Sequence, residues 1–327
     1  MAVRTLVESI RETLADEMRR DGTIVILGED VGRKGGVFLA TDGLWAEFGE
    51  DRVMDTPLSE SLIVGASIGA AVNGLRPVPE IQFADFIFPA FNQIVSEAAR
   101  LRYRSAGGFG CPITIPAPYG GGVHGALYHS QSVEAFFAHV PGLKIVVPST
   151  PYDARGLLRS AIRDPDPVIF LEHKKLYRSV RGEVPDTDYA VPLGQAHVTR
   201  PGDQVTVIAY GLMAHYSLEA AELVEGEGIS AEVIDLRTLR PLDGETILAS
   251  VRKTGKCVIV YEDNRFGGYG AEVAAMLAEE AFDYLDGPII RVAGPDVPGV
   301  PYSHRLEDWF MVDPEKIAAA VRRLAAY

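Results

Sequence analysis

The chain reads as α/β: two consecutive domains, each a mainly parallel sheet with crossover helices. Short, wholly apolar runs such as Thr23-Ile-Val-Ile-Leu27 and Val205-Thr-Val-Ile-Ala209 recur between turn residues, the pattern of strands buried on both faces. Helix-length stretches alternate with those runs, as crossover connections require. The 327 residues suffice for two cores. The alternation lapses once, between His173 and Pro192, into charges, prolines and turn residues. The expected division is a first domain over 1–180, a linker over 181–195 and a second domain over 196–327.

In order, Val3, Leu6, Val7, Ile10, Leu14 and Met18 share one face at helical spacing and predict a first amphipathic helix. The strand from Thr23 to Leu27 runs into Gly28-Glu-Asp-Val-Gly-Arg-Lys-Gly-Gly36. That segment matches neither G-x-x-x-x-G-K-[ST] nor G-x-G-x-x-G, so it reads as a flexible loop without a phosphate cradle. Pro57 in Asp55-Thr-Pro-Leu-Ser-Glu-Ser61 ends the preceding strand or loop, and Ser59 or Ser61 can cap a helix begun there. From Leu62 to Val72 the residues are small and apolar nearly all round, which predicts a buried helix. Gly65 and Gly69, with Ala66 and Ala70, sit four apart and admit a close backbone. Glu60 opens this helix, where a negative charge complements the dipole. Two readings stand: an ordinary first-turn glutamate, the simpler one from this stretch alone, or a carboxyl kept dry for work on a ligand.

Arg76 to Phe83 and Pro112 to Ile115 predict strands, with a helix from Ala90 to Tyr103 between them. Arg100, Arg102 and Arg104 at the end of that helix suit carbonyls or interface carboxylates better than a ligand. Tyr119-Gly-Gly-Gly-Val-His-Gly125 is too rich in glycine for regular structure and leads through Tyr128-His-Ser-Gln131 to a short helix from Ser132 to His139. Strands from Leu143 to Val147 and Pro167 to Leu171 flank a helix from Tyr152 to Arg163. In the second half, strands are expected at Val205–Ala209, Ala231–Asp235, Cys257–Val260 and Pro288–Val292. Helices fall near 214–225, 244–252, 269–284 and 314–324.

The net charge of −14, with no dense Lys/Arg tract, argues against nucleic-acid binding. No apolar run approaches the ~20 residues of a membrane span, and the N-terminus has no apolar core of a secretory signal. Cys111 and Cys257 stand far apart in apolar surroundings and read as buried free thiols of a reducing compartment. The cytoplasm is the expected location.

Five segments in one order carry a resemblance: Met54-Asp-Thr-Pro-Leu-Ser-Glu60, Glu80-Ile-Gln-Phe-Ala-Asp-Phe-Ile-Phe-Pro89, Arg102-Tyr-Arg-Ser105, His124-Gly-Ala-Leu-Tyr-His-Ser-Gln131 and Val233-Ile-Asp-Leu-Arg-Thr-Leu239. Together they resemble the β subunit of the thiamin-diphosphate-dependent, decarboxylating component of 2-oxo acid dehydrogenase complexes, over nearly the whole chain. The segment from Ala84 to Pro89, with Tyr128-His-Ser-Gln131, is most similar to the branched-chain (2-oxoisovalerate) members, with Phe86 where that branch often has Tyr. Val147-Pro-Ser-Thr-Pro-Tyr-Asp153 also resembles pyruvate dehydrogenase β subunits. The resemblance implies a transketolase-like pyrimidine-binding domain followed by a transketolase C-terminal-like domain.

It further implies roles. Glu60 hydrogen-bonds the aminopyrimidine of thiamin diphosphate and favours its imino tautomer; the Leu58 backbone and Phe86 contact the same ring. His129 lies on the thiazolium side and steers proton or acyl transfer to the lipoyl group of the second component, work that suits a neutral imidazole. Gln82 lines the substrate pocket. His124 and His139 read as structural. Outside the family context, Phe86 reads equally as a core aromatic and His129 as a loop hydrogen-bonder. The family binds diphosphate and Mg²⁺ through a Gly-Asp-Gly motif that does not occur here, which assigns that half to an α subunit in an α₂β₂ assembly. A K⁺ site built from carbonyls is implied at Ile113, Ala161, Asp164 and Asp166, with Asp166 where Asn is often found. The competing readings are a pyruvate dehydrogenase β subunit and a non-catalytic α/β binding subunit.

Overall fold

A computed structural model describes residues 1–327. Its contacts divide the chain into two units, Met1–Tyr119 with Phe136–Leu193, and Gly120–Ala135 with Gly194–Tyr327.

The first unit opens with strand β1 (Ala2–Thr5) and helix α1 (Leu6–Arg20). The helix expected to begin near Val3 starts later, because Thr5 caps it: the Thr5 hydroxyl accepts from Glu8 N–H while the Glu8 carboxylate accepts from Thr5 N–H at 2.7 Å. Strands β2 (Ile24–Gly28), β3 (Val53–Asp55) and β4 (Arg76–Pro79) pair in parallel in the order β3-β2-β4, with helix α2 (Glu60–Val72) crossing from β3 to β4. Strand β5 (Thr114–Tyr119), strand β6 (Lys144–Val146) and, after helix α3 (Pro151–Arg163), strand β7 (Val168–His173) form a second parallel set in which β7 lies between β6 and β5.

The two sets meet at β4 and β5, where prolines explain the interruption. The N–H groups of Arg76 and Glu80 face β2 and donate to Thr23 and Leu27. The alternate positions, facing β5, are Pro77 and Pro79, which have no donor. Ile81 N–H makes the connection, donating to Pro116 C=O at 3.0 Å.

Three expectations need correction. Residues 181–184, assigned to the linker, form strand β8 (Arg181–Val184), antiparallel to β1. Ala90 to Tyr103 is helical but not continuous: a π-helical stretch over Gln93–Ala98 is followed by a turn at 99–100 and a short helix at Leu101–Arg104. There Arg102 pairs with Asp166 and Arg104 with Glu97. Helix α2 also differs from an all-round buried helix. Ile63, Val64, Ser67 and Ala71 are buried, but Leu62, Ala66, Gly69 and Val72 form an open stripe, since nothing in the single chain covers it.

In the second unit, β9 (His197–Arg200), β10 (Val205–Ala209), β11 (Ala231–Asp235), β12 (Cys257–Asn264) and β13 (Ile290–Gly294) form one sheet in the order β13-β12-β10-β11-β9. Only β9 runs antiparallel. Helices α4 (Leu212–Glu225), α5 (Gly244–Thr254), α6 (Gly270–Glu280), α7 (His304–Phe310) and α8 (Pro314–Ala325) complete the unit, α8 packing against α4. Cys111 and Cys257 are buried free thiols. No helix is long and apolar enough to cross a membrane.

Gly142 turns the chain into β6 with φ +97°, and a Cβ there would stand 2.1 Å from the Ala99 carbonyl oxygen. Left-handed backbone costs an L residue about 1–2 kcal/mol, and overpacking adds about 1–3 kcal/mol. Gly142→Ala is therefore expected to destabilise the chain by about 2–5 kcal/mol in urea unfolding; a change within experimental error would contradict the tight turn.

Candidate active site

The stretch around Glu60 is tied to the C-terminal end of β2, the edge where open parallel sheets place their ligands. Thr56 N–H donates to Gly28 C=O at 2.9 Å, and the Asp55 carboxylate accepts from Gly32 N–H at 2.6 Å. The loop after Gly28 is thereby anchored at its middle. Pro57 and Leu58 stand out from the surface, Leu58 being 78% exposed. The chain then turns inward at Ser59, whose carbonyl accepts from Ile63 N–H at 2.9 Å, and Glu60 enters the first turn of α2 only 6% exposed. Ser59 makes no side-chain cap. Ser61 Oγ instead donates to Pro89 C=O, joining the helix start to the segment that carries Phe86. Phe86 is half-buried on a one-turn helix and meets Phe83 edge-on at 5.5 Å; Gln82, two residues beyond Glu80, is also half-buried.

Glu60 belongs to a row of acids along this edge that sequence reasoning missed. Glu29 follows β2, and burial, Glu60 and Asp30 together raise its carboxyl above the ordinary range. Glu80 follows β4; burial, assisted by Glu29, pushes it up to about 7. Glu172, on β7, is pushed up to about 8 by burial and by Glu80, against the hydrogen bond it accepts from the Tyr177 hydroxyl. Glu80 and Glu172 line a cavity of about 10 Å³ with Thr41, Pro116, Ile26 and Leu158, room for one water. Desolvation dominates each shift, so these carboxyls hold protons that exposed ones would have released. Acidic residues at the ends of short, largely apolar runs were the available signal.

His129 lies in the second unit, on the segment Gly120–Ala135. It ends a one-turn helix at Ala126–Tyr128 and is half-buried. The glycine-rich part of this segment is held by acids: Gly121 N–H donates to Glu262, and Gly122 N–H and His124 N–H donate to Glu307. His124 also pairs with Glu307 through Nδ1 and packs on His304. Glu134, fully buried, accepts from the Tyr210 hydroxyl at 2.8 Å; burial and Asp263 push it up to about 8. His139 is exposed.

Ile113, Ala161, Asp164 and Asp166 come together at one end of β5 and α3. Val168 N–H donates to Ile113 C=O, Asp164 N–H to Ala161 C=O, and Cys111 N–H to Pro165 C=O. The Asp164 carboxylate is held by Lys144 and that of Asp166 by Arg102. The Asp164 carbonyl accepts from the Arg76 guanidinium at 3.2 Å, and the Ile162 carbonyl from the same group at 2.8 Å.

Known proteins agree with this architecture. The family model described as "Transketolase, pyrimidine binding domain" matches residues 3–180, and "Transketolase, C-terminal domain" matches 194–317. The chain is 58% identical over 327 residues to the 2-oxoisovalerate dehydrogenase subunit beta of Bacillus subtilis, covering all of both. It is 50% identical over 309 residues to that organism's pyruvate dehydrogenase E1 component subunit beta, covering 94% of this chain and 95% of the relative. Among solved structures, "Split gene transketolase, inactive beta4 tetramer" superposes with a TM-score of 0.80 at 26% identity, covering 98% of each chain.

Raised carboxyls have a signed consequence. Between the ordinary value near 4.5 and about 7, folded Glu80 holds a proton that the unfolded chain releases. Stability from this group is therefore lost as pH rises through that window. Relative to the parent, Glu80→Gln is expected to lose less stability between pH 5 and pH 8, by on the order of 2–3 kcal/mol. Urea unfolding at the two pH values checks it, and parallel losses in both proteins would contradict a buried, protonated Glu80.

Proposed function

The chain belongs to the β subunits of 2-oxo acid dehydrogenases, a thiamin-diphosphate-dependent, transketolase-like family, and from that premise we propose that it serves a branched-chain 2-oxo acid dehydrogenase. With an α subunit in an α₂β₂ tetramer it decarboxylates 2-oxoisovalerate-type acids oxidatively and passes the acyl group to the lipoyl group of a second component. The observation that carries this is Glu60, buried in the first turn of α2 beside exposed Leu58 at the carboxyl edge of the sheet.

Thiamin diphosphate supplies the carbanion chemistry that removes CO₂ from a 2-oxo acid. Glu60 fits its aminopyrimidine end: a carboxyl removed from water can hold or give a proton at a ring nitrogen with little reorganisation. Leu58, standing out just before it, offers apolar surface and a backbone carbonyl to the same ring, and Phe86 offers its face. Gln82 is assigned to the substrate pocket. His129 is assigned to proton and acyl transfer toward the lipoyl group. The Mg²⁺ and diphosphate half belongs to the α subunit, because the Gly-Asp-Gly motif is missing from this chain. K⁺ is assigned to the carbonyls around Ile113, Ala161, Asp164 and Asp166. The open stripe of Leu62, Ala66, Gly69 and Val72 supports assembly, since a neighbouring subunit can bury it. The domain division follows the same reading, with pyrimidine binding over 1–180, a linker over 181–195 that begins with strand β8, and the C-terminal domain over 196–327. Buried free thiols support a cytoplasmic location.

The second reading, a pyruvate dehydrogenase β subunit, is favoured by the 50% identity to that protein. Substrate size separates the two. The segment Phe83-Ala-Asp-Phe-Ile-Phe88 offers a large apolar surface. Each methylene accommodated is worth about 0.8 kcal/mol, so the two extra carbons of 2-oxoisovalerate give about 1.6 kcal/mol, or about fifteenfold in kcat/KM. The αβ enzyme is expected to prefer 2-oxoisovalerate and 4-methyl-2-oxopentanoate to pyruvate by that order. Preference for pyruvate over both branched acids would overturn the branched-chain assignment and leave the family intact.

A further inference from the structure

The segment that carries His129 is bent in a way its own residues do not favour. Gly120 and Gly122 have φ of +87° and +74°, which glycine tolerates, but His124 and Ala126 also lie in the left-handed region, at +58° and +54°. L residues persist there only when their surroundings over-determine the backbone. At His124 the surroundings include one buried side chain that bridges the turn. Glu307, on α7, is 1% exposed, and its Oε1 accepts from Gly122 N–H at 3.0 Å and from His124 N–H at 3.2 Å. Its Oε2 lies against His124 Nδ1, and the His124 ring rests on His304 from the same helix at 3.7 Å.

A carboxylate taken out of water is stable only when its oxygens are met by donors, and charge-assisted bonds of this kind are strong and directional. Glu307 therefore ties Gly122 to His124 through one oxygen, Oε1, while Oε2 faces the His124 ring. The fixed turn bears on His129. A Cβ at Gly125 would stand 2.6 Å from the His129 carbonyl oxygen and 2.8 Å from Ser130 Oγ, so the backbone after His124 lies directly against the backbone of His129. A Cβ at Gly121 would meet Met311 Sδ at 2.9 Å, which leaves the turn little freedom to shift on its other side.

We propose that Glu307 is a positioning residue: through the turn it clamps, it sets the His129 imidazole for acyl transfer to the lipoyl group. This rests on the role assigned to His129 in that transfer. The residue lies nearly 180 positions further along the chain than its target, and its effect is expected to be confined to the step His129 serves.

The test uses the assembled αβ enzyme and separates two partial reactions, decarboxylation with a dye as electron acceptor and reductive acylation of a free lipoyl domain. Glu307→Ala removes the acceptor, Glu307→Asp withdraws it by one methylene, and Glu307→Gln keeps an oxygen facing the two N–H groups. Misplacing a catalytic group by about 1 Å costs about 10²-fold. Glu307→Ala is therefore expected to slow lipoyl acylation by about that factor, with dye-linked decarboxylation within about threefold of the parent. Glu307→Asp is expected to slow acylation by about tenfold, which keeps the test available if the alanine variant does not assemble. Glu307→Gln is expected to restore most of the rate. Equal losses in both partial reactions, or no recovery with Gln, would mark Glu307 as merely structural and overturn the proposal. His129→Ala is measured beside them. Impaired acylation in His129→Ala with normal acylation in Glu307→Ala and Glu307→Asp overturns the proposal alone. Normal acylation in His129→Ala overturns the reading of His129, and the proposal with it.

Discussion

The dry carboxyl of Glu60 is the constraint on which the first unit turns. A carboxylate is stable out of water only if its surroundings replace what water supplied or let it keep a proton. The N-terminus of α2 offers the first, since free N–H groups and the helix dipole favour negative charge there. Getting Glu60 to that place requires the turn at Pro57, the bond from Thr56 to the end of β2, and a parallel sheet whose carboxyl edge opens on the same side. The acids behind it make the edge still less hospitable to charge. Glu29, Glu80 and Glu172 are each raised by burial and by neighbouring acids, Glu80 to about 7 and Glu172 to about 8. The proton transfer to a cofactor ring proposed for Glu60 gains from such surroundings.

Much of this was legible locally. Pro57 as a stop, Ser59 and Glu60 as a helix start, and the apolar runs as buried strands are short-range signals, and each of those elements formed. Several misses share one cause: their partners are remote in sequence. Strand β8 exists because β1 pairs with it across almost 180 residues. The raised carboxyls arise where β2, β4 and β7 end on one edge, which no window of sequence displays. Glu307 looks like an ordinary helix residue until the loop at Gly122 folds onto it. The proline alternation in Arg76-Pro-Val-Pro79 and Thr114-Ile-Pro-Ala-Pro-Tyr119 was visible, but its effect on the ladder needed the two strands to be neighbours.

Helix α2 shows a different limit. Its composition called for burial on all sides, and composition cannot tell burial within a chain from burial between chains. The uncovered stripe of Leu62, Ala66, Gly69 and Val72 is the difference. The missing diphosphate motif and the open apolar stripe thus fit one explanation, a site and a core both completed by another polypeptide. The family resemblance carried the residue roles, while geometry supplied what resemblance did not: the acid row behind Glu60 and the carboxylate clamp beneath the His129 segment.

Hydrogen–deuterium exchange at C2 of thiamin diphosphate, measured in the αβ assembly of the parent and of Glu60→Gln, tests the central claim most directly. The substitution keeps the shape of the side chain and removes the transferable proton. Exchange in the variant is expected to be slower by about 10²–10⁴, the range of general acid–base catalysis. Exchange at the parent rate would contradict that role and leave Glu60 an ordinary first residue of a helix.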